Sequence, residues 1–184
     1  MARVGILGGT FDPPHNGHIG IAKAALKELM LDKVIFVPAC VPPHKMKRCV
    51  ASAEDRLIML QLVINGYDKF EISRIEFDRP GPSYTVDTLT EFRQIYPRDE
   101  LFLLIGADNI AEIENWYEPD RIVGLAKIAA ANRPNFSSNG AYADIVIPFT
   151  MPPADISSTA IRQRIKAELS ITDLVPPGVA SYIL

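Results

Sequence analysis

A run of glycines at the end of an apolar segment constrains this chain more than any other feature. The apolar residues 4–7 are followed by Gly8-Gly9-Thr10-Phe11-Asp12-Pro13-Pro14-His15-Asn16-Gly17-His18 and then by a helical pattern. This order predicts a buried strand that runs directly into a helix. The N–H groups and dipole of a helix start favour an anion, and glycine lets a phosphate approach because it has no Cβ. His15 and His18 lie three residues apart, so both imidazoles can face that anion.

Two other phosphate-binding patterns are absent from this junction. It has neither the glycine fingerprint of dinucleotide-binding folds nor the loop that ends in Gly-Lys-Ser/Thr. Hydride-transfer enzymes and P-loop kinases are therefore disfavoured. A tight turn with a capping histidine is the simpler interpretation of the same residues.

Apolar strands and amphipathic helices alternate along the rest of the chain. Helical patterns cover 17–31 and 52–65 and begin again near 83, 157 and 179, and strand patterns cover 33–37, 70–77, 101–105, 127–131 and 144–148. The first strand–helix–strand unit favours a right-handed parallel crossover. We predict an α/β fold: a doubly wound, Rossmann-like sheet of five or six mainly parallel strands flanked by helices, in a single domain over residues 1–184.

The overall composition excludes several classes of protein. Hydrophobic residues make up 48% of the 184 and charged residues 22%, which is typical of a globular domain. The net charge of −3 gives no general attraction to nucleic acid. No apolar run is long enough to span a membrane, and the first residues lead straight into a strand, so we expect a cytoplasmic protein without a signal peptide. The oligomeric state is left open, a homo-oligomer included.

Cys40 and Cys49 are the two cysteines. A cytoplasmic chain of this size is expected to keep both reduced. Together with His44 they could ligate zinc, but the set lacks the paired spacing of zinc sites and has no fourth member.

Loops that leave the carboxyl ends of parallel strands border the ligand crevice of such a fold. The loop after the second strand carries three prolines and a cationic group of His44, Lys45, Lys47 and Arg48. A solvated basic loop is the simpler interpretation. Gly106 ends the most apolar strand and Asp108 follows it. The Asp108 carboxylate takes the position of a group that binds a ribose, or of a helix cap.

Two further helix starts carry hydroxyl groups. Ser83 or Thr85 is expected to cap a helix whose residues Leu89, Phe92 and Ile95 face inward. Near the end of the chain, Ser157 or Ser158 caps the final long helix and forms a second anion site. Arg162 lies one turn in and can reach the same anion.

These stretches resemble the nucleotidylyltransferases, and within them the bacterial nicotinate mononucleotide adenylyltransferases. The resemblance covers nearly the whole chain, and its motifs follow in the family's order. They are Gly8–Pro13 with His15-Asn16-Gly17-His18, Pro43-His44-Lys45, Ser83-Tyr84-Thr85-Val86-Asp87-Thr88-Leu89, Gly106-Ala107-Asp108, Trp116 and Ile156–Arg162. Where the family has Arg-Pro-Gly, this chain has Arg133-Pro134-Asn135, and asparagine tolerates the left-handed backbone almost as glycine does.

The resemblance implies an enzyme that transfers the adenylyl group of ATP to nicotinate mononucleotide, giving nicotinate adenine dinucleotide and pyrophosphate. The attacking phosphate is already an anion, so the reaction needs positioning and charge neutralisation and no general base. The resemblance also implies Mg²⁺ bound through the ATP phosphates and water, with no direct protein ligand.

The resemblance assigns the site residues as follows. Catalysis is implied for His15, His18, Lys45 and Arg162. ATP binding is implied for Gly8, Gly9, Thr10, Phe11, His15, His18, Gly106, Asp108, Ser157, Ser158, Thr159 and Arg162. Mononucleotide binding is implied for His44, Lys45, Ser83, Tyr84, Thr85, Trp116, Tyr117 and Arg133. Without the family, Trp116 is equally well interpreted as a core residue.

Two alternatives stand beside this assignment. A sister adenylyltransferase would act on nicotinamide mononucleotide or on phosphopantetheine, although the Tyr84-Thr85 and Trp116 motifs disfavour the latter. A nucleotide-binding regulator without turnover belongs to another class, and the intact His15, His18 and Arg162 argue against it.

Overall fold

A six-stranded parallel sheet forms the centre of the molecule. A computed structural model describes residues 1–43, 50–132, 141–152 and 155–184. The strands are β1 (Arg3–Gly9), β2 (Lys33–Pro38), β3 (Phe70–Ile72), β4 (Glu100–Gly106), β5 (Lys127–Asn132) and β6 (Ile147–Thr150). They lie in the order β3-β2-β1-β4-β5-β6, and every neighbouring pair is parallel. The strand order therefore reverses between β1 and β4, where a doubly wound sheet opens a crevice.

Helices cover both faces of this sheet. They are α1 (Asn16–Glu28), α2 (Ala53–Ile64), α3 (Thr85–Ile95), α4 (Pro119–Leu125), α5 (Ser158–Lys166) and α6 (Pro177–Ile183). One hydrophobic cluster joins the sheet to α1, α2, α5 and α6, and a second joins the other face to α3 and α4. The predicted α/β, Rossmann-like, doubly wound fold is confirmed, and the single domain over 1–184 stays a prediction.

The central strands owe their burial to their sequences. Residues 101–105 of β4 are apolar without interruption and are all buried, as expected for a strand covered on both faces. In β1, Gly5 leaves room for the side chains of Leu31 and Leu104, because an added Cβ would lie 2.8 and 3.0 Å from them. The absence of a side chain at Gly5 lets these two leucines pack closely against β1.

Three expectations about the elements were wrong. The predicted strand over 70–77 ends at Ile72, because the Arg74 carbonyl accepts the N–H groups of Phe77 and Asp78 in a turn. The last strand begins at Ile147 and not at 144, since Ala143–Ile145 form a short 3-10 turn. Ile95, expected to face inward, is 57% exposed because it lies in the final turn of α3.

Two absences concern only the part of the chain that the structure describes. None of its helices is long and apolar enough to cross a membrane. The same residues contain no cluster of three or more histidine, cysteine or acidic side chains suited to a metal ion. His44 and Cys49, two of the three residues considered for zinc, lie outside the described ranges.

Candidate functional site

One cleft of about 570 Å³ lies where the strand order reverses. It is bordered by the ends of β1 and β4 and by the starts of α1, α3 and α5. Every predicted site residue that the structure describes lines it: Gly8, Gly9, Thr10, Phe11, His15, His18, Ser83, Tyr84, Thr85, Gly106, Asp108, Trp116, Tyr117, Ser157, Ser158, Thr159 and Arg162. The parallel topology brings them together, because strand ends and helix starts meet at the same edge.

The two imidazoles stack at the start of α1. Their ring centroids lie 3.7 Å apart, and the His15 backbone N–H donates to Nδ1 of His18 over 3.1 Å. A neutral His18 ring that accepts at Nδ1 carries its proton on Nε2. Gly17 makes this stack possible, because an added Cβ would lie 3.0 Å from Nδ1 and Cε1 of His15.

Burial controls the charge of His15. The side chain is 7% exposed, and its Nδ1 has no hydrogen-bond partner among the described residues. Burial lowers the pKa of the His15 imidazole from 6.5 to about 4. His15 is therefore a neutral donor or acceptor at neutral pH, and a bound anion would favour its protonation.

Phe11 closes the loop between β1 and α1. Its φ of 52° lies in the left-handed region, which is uncommon for an aromatic residue. The ring lies against Gly9, where an added Cβ would approach it to 3.0 Å, and meets the His18 ring edge-on at 4.9 Å. The strained residue thus gives the His18 ring a second aromatic contact beside that with His15.

The start of α5 is joined to the start of α1. Ser157 caps α5 by accepting the Ala160 N–H over 3.1 Å, as the sequence predicted. The Ser158 hydroxyl donates to the Pro13 carbonyl over 2.9 Å. Arg162 Nη1 donates to the Asp12 carbonyl over 2.6 Å and lies 3.7 Å from the Asp12 carboxylate. Two helix starts that are far apart in sequence therefore form one wall of the cleft.

The helix starts differ in how their dipoles are balanced. In α2, Ser52 caps the helix and Glu54 and Asp55 occupy the first turn. In α1 and α5, the first turn contains no acidic residue. The positive ends of these two helices are thus left to attract an anion from outside the chain.

Two buried charged residues support the cleft and escaped the sequence reasoning. The Asp12 carboxylate accepts the N–H groups of Val50 and Ala51 over 2.9 and 3.1 Å.

Arg56 is 2% exposed, and its guanidinium donates to the carbonyls of Thr10, Ala39 and Cys40 over 2.7, 2.7 and 3.3 Å. Arg56 thereby ties the loop after β1 to the loop after β2. The available signal was its position four and seven residues before Leu60 and Val63, on the buried side of α2.

The opposite side of the cleft is aromatic. The rings of Tyr84 and Tyr117 lie 4.7 Å apart, and Tyr117 is 53% exposed. Trp116 is partly buried and packs against the hydrophobic cluster of α3 and α4 while it also lines the cleft. Trp116 therefore packs on the core and also borders the cleft, and its role in binding the mononucleotide stays a prediction.

The expected cap of α3 is missing. Tyr84 is the N-cap residue, and no side chain caps the helix. The Ser83 hydroxyl instead accepts the Val41 N–H over 3.1 Å. The prediction that Ser83 or Thr85 caps α3 was wrong, because a contact from the loop after β2 takes the hydroxyl.

Glu76 is a third buried residue that the sequence did not single out. It lines the cleft below α3, is 7% exposed and accepts the Thr88 hydroxyl over 2.6 Å. Burial raises the pKa of the Glu76 carboxyl, while hydrogen bonds to Thr88 and Ser83 and the charge of Arg79 oppose the rise.

Asp108 is exposed beyond the end of β4. It lies within the 3-10 turn Ala107–Asn109, whose N-cap residue is Gly106 without a side-chain bond. Asp108 therefore does not cap that turn, and its carboxylate borders the cleft. The predicted site residues His44, Lys45 and Arg133 lie outside the described residues.

Comparisons with known proteins identify the family of this chain. Residues 6–164 match the protein family described as Cytidylyltransferase-like. A probable nicotinate-nucleotide adenylyltransferase of Thermus thermophilus is 45% identical over 181 residues, covering 98% of this chain and 96% of its own. The nicotinate-nucleotide adenylyltransferase of Bacillus subtilis is 38% identical over 183 residues, covering 100% and 96%.

A solved structure shares the fold. The Plasmodium falciparum nicotinic acid mononucleotide adenylyltransferase complexed with NaAD superposes with a TM-score of 0.83 at 19% identity, and the match covers 100% of this chain and 95% of that one.

Proposed function

Because this chain belongs to the cytidylyltransferase-like family and, within it, to the nicotinate-nucleotide adenylyltransferases, we infer that it transfers the adenylyl group of ATP to nicotinate mononucleotide. The products are nicotinate adenine dinucleotide and pyrophosphate. The observation that carries this function is the meeting of three helix starts in one cleft. Those of α1 and α5 lack acidic residues, and that of α3 lacks a side-chain cap.

The chemistry asks the protein to neutralise charge and to align two anions. The mononucleotide phosphate attacks the α-phosphorus of ATP, the new P–O bond forms, and pyrophosphate leaves with the electron pair of the broken bond. No proton has to be removed from the nucleophile. Donors that are already in place when charge builds up lower the barrier most.

His18 is suited to act on the reacting phosphates. Its Nδ1 accepts from the chain, so Nε2 carries a proton that can be donated to a phosphate oxygen. His15 supports the same position through the stack. These roles follow from the rigid contacts around both rings.

Arg162 and the start of α5 are suited to hold the leaving pyrophosphate. The guanidinium is oriented by the Asp12 carbonyl and by the Thr159 hydroxyl, 2.6 and 3.2 Å away. Its remaining N–H groups and the first N–H groups of α5 can bind phosphate oxygens. Gly106 and Asp108 would bind the ATP ribose at the end of β4.

Magnesium fits this site as a companion of ATP. Mg²⁺ keeps several waters and binds through the phosphates of its substrates, so the ATP phosphates and water would supply its ligands. When bound, the ion offsets negative charge on the phosphates.

The aromatic side of the cleft is suited to the pyridine nucleotide. The uncapped start of α3 offers N–H groups to the pyridine carboxylate, and Trp116 offers a ring for stacking. Roles for His44, Lys45 and Arg133 stay predictions from the sequence, as does the cytoplasmic location.

An assay with matched substrates tests the function. The purified protein is incubated with ATP, Mg²⁺ and either nicotinate or nicotinamide mononucleotide, and both pyrophosphate and dinucleotide are measured. We expect the acid mononucleotide to give the higher kcat/KM. Faster turnover of the amide would identify the sister activity, and ATP binding without pyrophosphate release would identify a regulator.

A further inference from the structure

Glu76 is buried at a cost that the packing does not explain. Its Oε1 accepts from Thr88, but its Oε2 has no hydrogen-bond partner among the described residues. A buried carboxyl that is only partly satisfied is unfavourable, and an apolar side chain of similar size would be easier to bury. Such a group points to a functional reason for its presence.

Glu76 holds a hydroxyl group in the first turns of α3. Thr88 lies four residues beyond the N-cap residue Tyr84, and its hydroxyl is 2.6 Å from Glu76 but 3.3 Å from the Tyr84 carbonyl. The Ser83 hydroxyl, directly before Tyr84, accepts the Val41 N–H over 3.1 Å and does not cap α3. Glu76 and the loop after β2 therefore hold the start of α3 from two sides.

We propose that Glu76 is a positioning residue that keeps the start of α3 fixed through Thr88, and that it thereby sets the preference for the acid over the amide mononucleotide. The inference rests on the proposed function. N–H groups at a helix start bind a carboxylate more strongly than a neutral amide. A start that shifts loses this advantage for the acid alone.

The ionic surroundings of Glu76 provide a matched control. Arg79 lies between a hydroxyl and a carboxylate: its Nη2 is 3.3 Å from the Thr88 hydroxyl, and its Nη1 pairs with Glu91 at 2.5 Å. Glu91→Gln removes a charge beside Arg79 and leaves the Thr88 hydroxyl with Glu76. Its acid-to-amide ratio should therefore equal that of the wild type.

The experiment compares kcat and KM for ATP, for nicotinate mononucleotide and for nicotinamide mononucleotide. Glu76→Ala should raise KM for the acid about tenfold and leave KM for ATP and the amide within about twofold. Glu76→Gln keeps an oxygen for Thr88 and should restore most of the acid preference. Thr88→Val removes one hydroxyl without changing charge, and it should raise KM for the acid at least about threefold.

Each outcome either supports or overturns the inference. An inactive wild type refutes the proposed function and this inference with it. An active wild type whose acid-to-amide ratio is unchanged in Glu76→Ala, or falls equally in Glu91→Gln, overturns the inference alone. Where Glu76→Ala does not fold, the acid-to-amide ratio of Thr88→Val tests the inference. Equal rises in KM for ATP and for the acid in Thr88→Val would indicate a merely structural role and overturn the inference.

Discussion

The two ends of the parallel sheet use similar residues for different purposes. At the carboxyl end, Arg56 donates to three loop carbonyls and supports the cleft. At the amino end, Arg93 donates to the carbonyls of Tyr96, Asp99 and Leu125 over 3.3, 2.9 and 2.7 Å. Each guanidinium satisfies carbonyl groups of several loops, yet the cleft that the described site residues line lies at the carboxyl end.

The direction of the helices explains the difference. Helix ends rich in carbonyl groups meet at the amino end, where Arg3 donates to the Leu29 carbonyl at the end of α1 and pairs with Glu100 at 2.6 Å. The chain thus balances its negative helix ends with its own cations. At the carboxyl end, the first turns of α1 and α5 contain no acidic residue. From this comparison we expect an anionic ligand to complete the charge balance of these two helix starts.

The largest effect is expected for His18→Ala. Removing a donor that acts on the reacting phosphates should lower kcat about 10³-fold, whereas ATP binding should weaken less than about fivefold. Steady-state kinetics and ATP titration measure the two quantities. A loss of ATP affinity as large as the loss in kcat would mean that His18 contributes ground-state binding and no preferential stabilisation of the transition state.

The second test replaces Arg56 and Arg93 with methionine, each in a separate variant. Arg56→Met and Arg93→Met each leave three carbonyls without their donor, so each should lower the free energy of unfolding by about 3 kcal/mol and the melting temperature by about 10 °C. Only Arg56→Met should also raise KM for both substrates, measured on folded protein. Equal KM values in the two variants would show that the loop connection at the carboxyl end does not position the site.

The third test uses pH. The pKa of His15 is about 4 in the folded chain and 6.5 as a free side chain, so the unfolded state binds more protons between these values. The stability that depends on a neutral His15 is complete above pH 6.5. It is lost as pH falls to 4, which lowers the free energy of unfolding by about 3 kcal/mol at most. His15→Asn keeps a good N-cap residue and should flatten this part of the profile. Thermal melts from pH 4 to 7 measure the slope, and an unchanged slope would contradict the assignment.

The smallest effect comes from giving α5 the acidic first turn that α2 already has. Thr159→Glu places a carboxylate beside Arg162, whose Nη2 lies 3.2 Å from the present hydroxyl. ATP affinity should fall about tenfold, while the helix gains about 0.5 kcal/mol from its dipole. Gln163→Glu, one turn further on, serves as the control. Tighter ATP binding in Thr159→Glu would contradict the proposal that the start of α5, unlike that of α2, binds an anion.

Most of the residues of the candidate site could be predicted from the local sequence. The strand, glycines and histidines from β1 to α1 are neighbours in the chain, so their meeting was predictable, and the cap Ser157 followed from residue type. Ser83 was wrong as a cap because a loop distant in sequence binds its hydroxyl. Arg56 and Glu76 were missed for the same physical reason: their partners lie in other elements, and only the folded chain shows which charge is buried and what it contacts.

The wall between α1 and α5 has a consequence for synthesis. The contacts from Arg162 to Asp12, from Ser158 to Pro13 and from Asn16 to the Leu174 carbonyl each join the first strand–helix unit to a part of the chain made almost 150 residues later or more. A nascent chain that still lacks this region has none of the contacts that form this wall of the cleft. We therefore expect the cleft to be complete only once residues 157–174 have been made and have docked on the first strand–helix unit.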